Sequence, residues 1–224
     1  MSHHRILDDE ELAEVLRNNQ KWVADEKARD PKYFERVGGP QKPQFLWIGC
    51  ADSRVPANEI IGLGPGEVFV HRNVGNQVPA TDLNSHAVLE YAVGHLNVKD
   101  IIVTGHYDCG AVRASLKQQD LGLIEEWLRP IRDVYRLHGA SLDLIEDEDT
   151  RHRRLVELNA IETCVNVYKA GVVQRKRMQT LKETGTAYPR IHALVFDPKE
   201  GILNPLPLNL KRTMGSYQHI YNLY

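Results

Sequence analysis

The sequence predicts an α/β protein with a mostly parallel central sheet of about four to five strands, flanked by helices and preceded by an extended amino-terminal helical arm. Three observations predict this class. Short apolar runs bounded by Gly, Pro or polar residues recur along the chain, as is typical of buried strands. Segments with the apolar spacing of helices separate these runs. A strand, a helix and a second strand at this spacing favour parallel pairing with a right-handed crossover.

The first predicted element is the helical arm, assigned to residues 1–40. Apolar residues between Leu12 and Val23 share one stripe of a helix, and Pro and Gly residues interrupt the pattern between 31 and 43. No linker, repeat or low-complexity tract divides the rest of the chain. We therefore expect a single domain over 1–224, with the arm at 1–40 and an α/β core with helical appendages at 41–224.

Four strands are predicted within the core, followed by an edge-like segment with two prolines. They cover residues 45–49, 67–71, 100–104 and 190–197, and the edge-like segment covers 202–208. Helices are predicted over 82–96, 110–118, 122–138 and 152–183, and Pro130 is expected to kink or split the third of them. The acidic stretch at 146–150 is expected to be a surface loop or a helix cap.

The composition excludes several classes of function. Lys plus Arg number 28 against 30 Asp plus Glu, so net charge gives no support to a nucleic-acid or anionic-membrane partner. No apolar stretch approaches the ~20 residues that cross a membrane, and the first residues lack the pattern of a signal peptide. Three cysteines do not make a disulfide framework. We expect a cytoplasmic enzyme in which some cysteines bind a metal or take part in catalysis.

Ligand-type side chains follow two of the predicted strands. Cys50 follows the first strand in the stretch CADSR, and His106 and Cys109 follow the third strand in GHYDCG. Because ligands of open parallel sheets sit beyond the carboxyl ends of the strands, these residues are expected to converge. Two thiolates and one imidazole suit Zn²⁺ and leave the fourth tetrahedral position open. The sequence therefore predicts a zinc site formed by these three residues.

Asp52 and Arg54 follow Cys50 closely and complete this group of residues. The Asp52 carboxylate could be the fourth metal ligand, or it could bind the planar guanidinium of Arg54 and orient a water. Taken singly, each of these residues is more often structural, as a buried thiol, a satisfied histidine or a local ion pair. Their combination at adjacent strand ends favours a functional site. Cys164, which has helical spacing with Ile161 and Tyr168, is expected to be a core residue.

The motifs CADSR, HRNVGNQV, EYAV and GHYDCG together resemble the β-class carbonic anhydrases, from about Trp22 to near Phe196. This resemblance implies one zinc ion held by Cys50, His106 and Cys109, with Asp52 and Arg54 as the catalytic dyad. The implied reaction is the reversible hydration of carbon dioxide to bicarbonate and a proton, which makes the protein a lyase. It also implies a homodimer or homotetramer with the site at the subunit interface.

The resemblance extends to further positions. Gln41, Val55, Phe69 and Tyr91 match residues that bind substrate or line its apolar pocket. Trp47, Arg72 and Tyr188 are similar to a regulatory trio of a bacterial subgroup, which binds bicarbonate away from zinc and favours a closed form with Asp52 on the metal. Asp108 and Ala111 depart from the usual pattern and are expected to alter the polarity or width of the pocket.

Two alternative functions use the same residues. One is hydrolysis of carbon disulfide or carbonyl sulfide, which relatives with this ligand set perform. The other is a zinc-stabilised regulatory or binding module without catalysis, in which Asp52 would be a permanent fourth ligand. The intact pair of Asp52 and Arg54 argues against that module, because a structural site needs no second partner for its carboxylate.

Overall fold

The computed structural model describes residues 10–217 and 219–221 of the chain. The chain divides into two compact units, Met1–Gln41 and Lys42–Tyr224, and each is described by itself. The organisation as one domain with an arm at 1–40 stays a prediction.

The amino-terminal unit contains the predicted helix. Its described elements are α1 (Glu10–Arg29) and α2 (Tyr33–Val37). Acidic residues lie in the first turn of α1 and basic residues in its last turn, an arrangement that the helix dipole stabilises. The Trp22 ring meets the Phe34 ring edge-on, with their centroids 5.3 Å apart, and this contact packs α1 against α2.

A five-stranded sheet forms the centre of the second unit. The strands, in the spatial order β2-β1-β3-β4-β5, are β1 (Phe45–Cys50), β2 (Val68–Asn73), β3 (Asp100–His106), β4 (Arg190–Asp197) and β5 (Ile202–Pro205). The first four pair in parallel, and β5 pairs antiparallel with β4 at the edge. The predicted mostly parallel sheet is confirmed.

Three of the strands continue further than the apolar pattern predicts. β1 runs through Cys50, β2 runs through Asn73 and β3 runs through His106, where His106 pairs with Phe196 of β4. The ladder of backbone hydrogen bonds does not depend on side-chain polarity, so pairing continues beyond the last aliphatic residue. As a result, the ligand-type residues Cys50 and His106 belong to the sheet itself and share its rigidity.

The helices of the second unit cover the sheet. In the described residues they are α3 (Ala57–Ile61), α4 (Leu83–Leu89), α5 (Gly110–Ser115), α6 (Leu123–Leu142), α7 (Glu148–Lys169), α8 (Gly171–Thr184) and α9 (Leu210–Gly215). A π-helical turn, Glu90–His95, continues α4 and is closed by the Leu96 amide, which donates to the Tyr91 carbonyl at 2.9 Å. Asp147 caps α7 by accepting from the Thr150 amide, as the acidic stretch predicted.

One helix prediction is wrong, and one of the two alternatives expected at Pro130 is excluded. The helix predicted over 152–183 is two helices, because Ala170 is extended (φ −62°, ψ 129°) between α7 and α8. Pro130 does not split α6, which continues to Leu142. Leu128 and Ile131 on either side of Pro130 are fully buried, and this packing offsets the hydrogen bond that proline cannot donate.

The core lies on both faces of the sheet. Leu46 and Ile48 of β1 face the larger apolar cluster, which includes Cys164 of α7. Trp47 points to the opposite face, into a smaller cluster with Phe196. Cys164 is therefore a core residue, as predicted. No helix in the described part of the chain has the length and apolar character needed to cross a lipid bilayer.

Candidate metal centre and active site

Three ligand-type side chains meet at the carboxyl ends of β1 and β3. Cys50 ends β1, His106 ends β3, and Cys109 immediately precedes α5. One ligand atom from each lies within 4.8 Å of the others, and the two Sγ atoms are 4.0 Å apart. Two thiolates bound tetrahedrally to Zn²⁺ at the usual distance of about 2.3 Å have sulfurs about 3.8 Å apart, so the observed separation fits such an ion.

The His106 side chain gives the clearest indication of a metal. Its Nδ1–H donates to the Tyr107 carbonyl at 3.0 Å, so that in the neutral ring Nε2 carries the lone pair. His106 is fully buried, and its Nε2 has no hydrogen-bond partner in the described part of the chain. A buried nitrogen without a partner is costly. A cation between this nitrogen and the two sulfurs would remove that cost, so the residues present fit a metal.

The two thiols are electrostatically coupled. A hydrogen bond with Cys109 stabilises the thiolate of Cys50 and lowers the pKa of Cys50. The same hydrogen bond, together with burial, raises the pKa of Cys109. The pair therefore shares one proton readily, and a thiolate is the form that coordinates metals.

Asp52 and Arg54 form a bidentate ion pair beside these ligands. Arg54 Nε donates to Asp52 Oδ1 at 2.9 Å and Arg54 Nη2 to Asp52 Oδ2 at 2.8 Å, while the Arg54 amide also donates to Oδ1 at 2.9 Å. These hydrogen bonds hold the pKa of Asp52 well below its usual range, although partial burial opposes them. Asp52 Oδ2 lies 3.8 Å from His106 Nε2, so an ionised carboxylate faces the candidate metal position.

Two arginines fix the backbone around this site. Arg72 of β2 donates through Nε to the Cys50 carbonyl at 2.8 Å and through Nη2 to the Asp52 carbonyl. Arg54 Nη2 also donates to the Asp108 carbonyl at 3.2 Å. The contact between Arg54 and Asp108 ties the segment after β1 to the segment from His106 to Cys109.

Comparison with known proteins places the chain in a family. The family model described as carbonic anhydrase matches residues 45–203. A carbonic anhydrase of Emericella nidulans is 52% identical over 209 residues, which are 93% of this chain and 89% of that protein. A solved structure of a tetrameric β-carbonic anhydrase of Sordaria macrospora has a TM-score of 0.80 at 35% identity, covering 88% of this chain and 98% of that one. The chain belongs to the β-carbonic anhydrase family.

A second solved structure supports this membership. The β-carbonic anhydrase of Coccomyxa, determined in complex with acetazolamide, has a TM-score of 0.82 at 35% identity and covers 95% of this chain and 97% of that one. Carbonic anhydrases are lyases whose general reaction is the hydration of carbon dioxide. The cluster of Cys50, His106 and Cys109 could hold the metal in this β-carbonic anhydrase.

The substrate-pocket residues predicted for a β-carbonic anhydrase are only partly brought together. The Phe69 and Tyr91 rings lie 5.6 Å apart, and the π-helical turn sets the position of Tyr91. Val55 is buried in the separate apolar cluster that contains Trp47. Gln41 belongs to the amino-terminal unit, which is described by itself. The roles of these four residues stay predictions.

The predicted regulatory trio is not assembled in one place. Trp47 pairs with Ile102 of β3, which in turn pairs with His192 of β4. Tyr188 precedes β4 and stacks under the Arg190 guanidinium, 5.5 Å from its ring centroid. β3 lies between β1 and β4, so Tyr188 is remote from Trp47 both across the sheet and along it. Arg72, the third member, binds the backbone beside the metal ligands.

Sequence reasoning missed several residues that support the ligand loop. His152 of α7 is buried and donates through Nε2 to the Cys109 carbonyl at 3.2 Å. Lys199 Nζ lies 3.1 Å from Asp108 Oδ2, and Arg113 Nη2 lies 3.6 Å from Asp108 Oδ1. No spacing in the sequence signals these contacts, and those made by His152 and Lys199 join segments that are distant along the chain. They hold the loop in place although Asp108 adopts a left-handed conformation (φ 56°).

Proposed function

We propose that this chain catalyses the reversible hydration of carbon dioxide to bicarbonate and a proton, with one zinc ion held by Cys50, His106 and Cys109. The observation that carries the proposal is the His106 Nε2 atom, which is buried beside two sulfurs and has no hydrogen-bond partner among the described residues. Family membership supports the same reaction. A bound zinc ion would supply a Lewis acid that makes a water molecule a nucleophile near neutral pH.

The proposed role of Asp52 is to orient the attacking water. Oδ1 already accepts two hydrogen bonds from Arg54, whereas Oδ2 accepts one and is the oxygen that faces His106 Nε2. An ionised carboxylate only accepts hydrogen bonds, so Oδ2 would hold a proton of the water and direct its oxygen lone pair at the substrate carbon. Arg54 fixes the carboxylate by a bidentate contact, which limits its rotation.

Arg54 also controls whether the fourth metal position is free. With Asp52 bound to Arg54, the carboxylate is engaged outside the set of three ligands. Release of that ion pair would allow Asp52 to become the fourth ligand, which is the closed state that we propose as the inactive form. The Arg54 side chain is half exposed, so the pair can break without leaving a buried guanidinium.

Carbon dioxide is small and uncharged, so its binding requires an apolar surface. We propose that Phe69 and Tyr91, whose rings already contact, form part of that surface. Substrate-binding roles for Val55 and Gln41 are proposed from the family resemblance alone. Bicarbonate regulation is proposed for Trp47 and Arg72, which lie on the neighbouring strands β1 and β2, whereas Tyr188 lies too far from Trp47 to bind the same ion.

The decisive experiment measures carbon dioxide hydration by stopped flow with a pH indicator, on protein whose zinc content is determined in the same sample. We expect about one zinc per chain and hydration that is lost when the metal is removed. Sulfide release from carbon disulfide or carbonyl sulfide, without hydration of carbon dioxide, would replace the proposal with the alternative hydrolase. Full zinc content with neither activity would indicate a non-catalytic module.

We further propose that the chain assembles as a homodimer or homotetramer. The tetrameric assembly of the Sordaria macrospora relatives supports this, as do Val70 and Val74, which are both 38% exposed on and just after the edge strand β2. Light scattering after size-exclusion chromatography tests it. A cytoplasmic location is proposed because all three cysteines are free.

A further inference from the structure

A basic cavity lies among α5, the segment that follows it, α6 and α7. Its volume is about 640 Å³, within the range of ~300–1,000 Å³ that is typical of small-molecule sites. Five cationic side chains and one carboxylate line it among the described residues: Arg113, Lys117, Arg132, Arg136, Arg151 and Glu148. The whole chain has a formal net charge of −2, so this lining concentrates positive charge locally.

Three of the five cations already bind carboxylates. Arg132 contacts both carboxylate oxygens of Glu125, and Arg136 Nη2 lies 3.1 Å from Asp133 Oδ1. Arg113 Nη1 lies 3.1 Å from Asp149 Oδ1. These pairs fix the walls of the cavity but offer less net charge to a ligand.

The other two cations form no ion pair with a carboxylate in the described part of the chain. Arg151 directs Nε and Nη2 at the Ile145 carbonyl, at 2.9 and 2.6 Å, and forms no ion pair with the described carboxylates. Lys117 takes part in no ion pair with the described residues. A ligand that carries more than one negative charge would therefore meet two available cations without breaking an existing ion pair.

The cavity also has an apolar wall. Leu116 is 39% exposed, and the Tyr135 ring is fixed because its hydroxyl donates to Asp143 Oδ1 at 2.5 Å. An inorganic anion would leave most of 640 Å³ unfilled. Guanidinium groups match phosphate oxygens in bidentate geometry. We propose that this cavity binds an organic polyphosphate, a small molecule with two or more phosphate groups attached to a ring or other apolar part.

The proposed binding site can be tested independently of the proposed catalytic function, because the experiment measures binding and not hydration. The probes are ADP and adenosine, titrated by calorimetry into the intact metal-loaded protein at low ionic strength and without added magnesium. We expect ADP to bind at least tenfold more tightly than adenosine, since the cations contribute only to the phosphate groups. Equal binding of the two probes, or no heat from ADP up to ~1 mM, would overturn the proposal.

Variants separate this cavity from the metal centre, where phosphate groups could also bind. Lys117→Gln removes one unpaired cation and is expected to weaken ADP binding about tenfold, as loss of a charged hydrogen bond does. Lys211→Gln is the matched control, because Lys211 is an exposed lysine of α9 away from the cavity. Thermal unfolding of both variants checks that they are folded. ADP affinity unchanged by Lys117→Gln would place the ligand elsewhere and refute the site.

Discussion

Substitution of Asp52 by Asn is the most informative change in the active site. It keeps the shape of the side chain and leaves Cys50, His106 and Cys109 in place. The amide replaces one carboxylate oxygen with an NH₂ group, which cannot accept a hydrogen bond. In either orientation of the amide Arg54 loses its bidentate contact, and in one of them the NH₂ group faces the candidate metal position.

The structure sets the expected size of this effect. Asp52 accepts three hydrogen bonds from Arg54, at 2.8 to 2.9 Å, but the Arg54 side chain is 51% exposed. Solvent screening limits the contribution of the pair to folding to about 1 kcal/mol or less. Loss of a positioned proton acceptor costs about 10²- to 10⁴-fold in rate, which is about 2.7 to 5.4 kcal/mol. Activity should therefore fall far more than stability.

The assay is stopped-flow hydration of carbon dioxide, with zinc content and urea unfolding measured on the same preparation. Asp133→Asn is the matched control, because Asp133 forms an exposed ion pair with Arg136 on α6; its turnover should equal that of the wild type. Wild-type turnover in Asp52→Asn would refute the assigned role of the carboxylate. Loss of zinc from that variant would show that Asp52 is a required ligand.

Three further predictions concern stability and metal content. In Gly49→Ala, the new Cβ would overlap Nε1 of the fully buried Trp47, so urea unfolding should show a loss of about 1–3 kcal/mol. Burial raises the pKa of Asp100, but hydrogen bonds from Arg190 and a neighbouring histidine outweigh it, and the net pKa is lowered. Arg190→Ala should therefore be less stable than the wild type near pH 7, and this difference should decline as the pH falls below ~4 and the Asp100 carboxyl is protonated. Cys164→Ala should retain full zinc by elemental analysis, because burial raises the pKa of this thiol and keeps it protonated.

For each of these predictions, one result would contradict the reasoning. Gly215→Ala is the control for Gly49→Ala, because no atom of the described residues lies within 4 Å of a Cβ added at Gly215. Equal losses of stability in the two variants would contradict the steric argument. For Arg190→Ala, a stability difference that grows as the pH falls would have the wrong sign, because a lowered carboxyl pKa contributes only above its titration. Loss of zinc from Cys164→Ala would show that Cys164 is a metal ligand.

Local patterns were sufficient to predict the sheet. The strand at 190–197 was predicted with the bounds that the structure shows, because its apolar run is closed by polar residues at both ends. The break at Ala170 was missed, since alanine favours helices and the apolar pattern continues across it. The π-helical turn at Glu90–His95 was also missed, because one extra residue per turn leaves almost no trace in apolar spacing. In both places tertiary packing determines the backbone conformation.

The metal ligands were predictable because strand direction alone places Cys50 and His106 at one edge of the sheet. The position of Tyr188 was not predictable, since it depends on how far a loop extends before β4 begins. The supporting role of His152 was not predictable either, because its contact with the Cys109 carbonyl joins α7 to the ligand loop across 43 positions. Contacts of this kind follow from the packing of helices on the sheet, for which a single sequence holds no signal.

The most direct test of the account is the metal content of the wild-type chain and of His106→Ala, each purified without chelator and assayed for carbon dioxide hydration. Binding by two sulfurs and one imidazole predicts about one zinc per wild-type chain, and loss of both zinc and hydration in the variant. Hydration by wild-type protein that contains no metal, or full zinc content in His106→Ala, would contradict it.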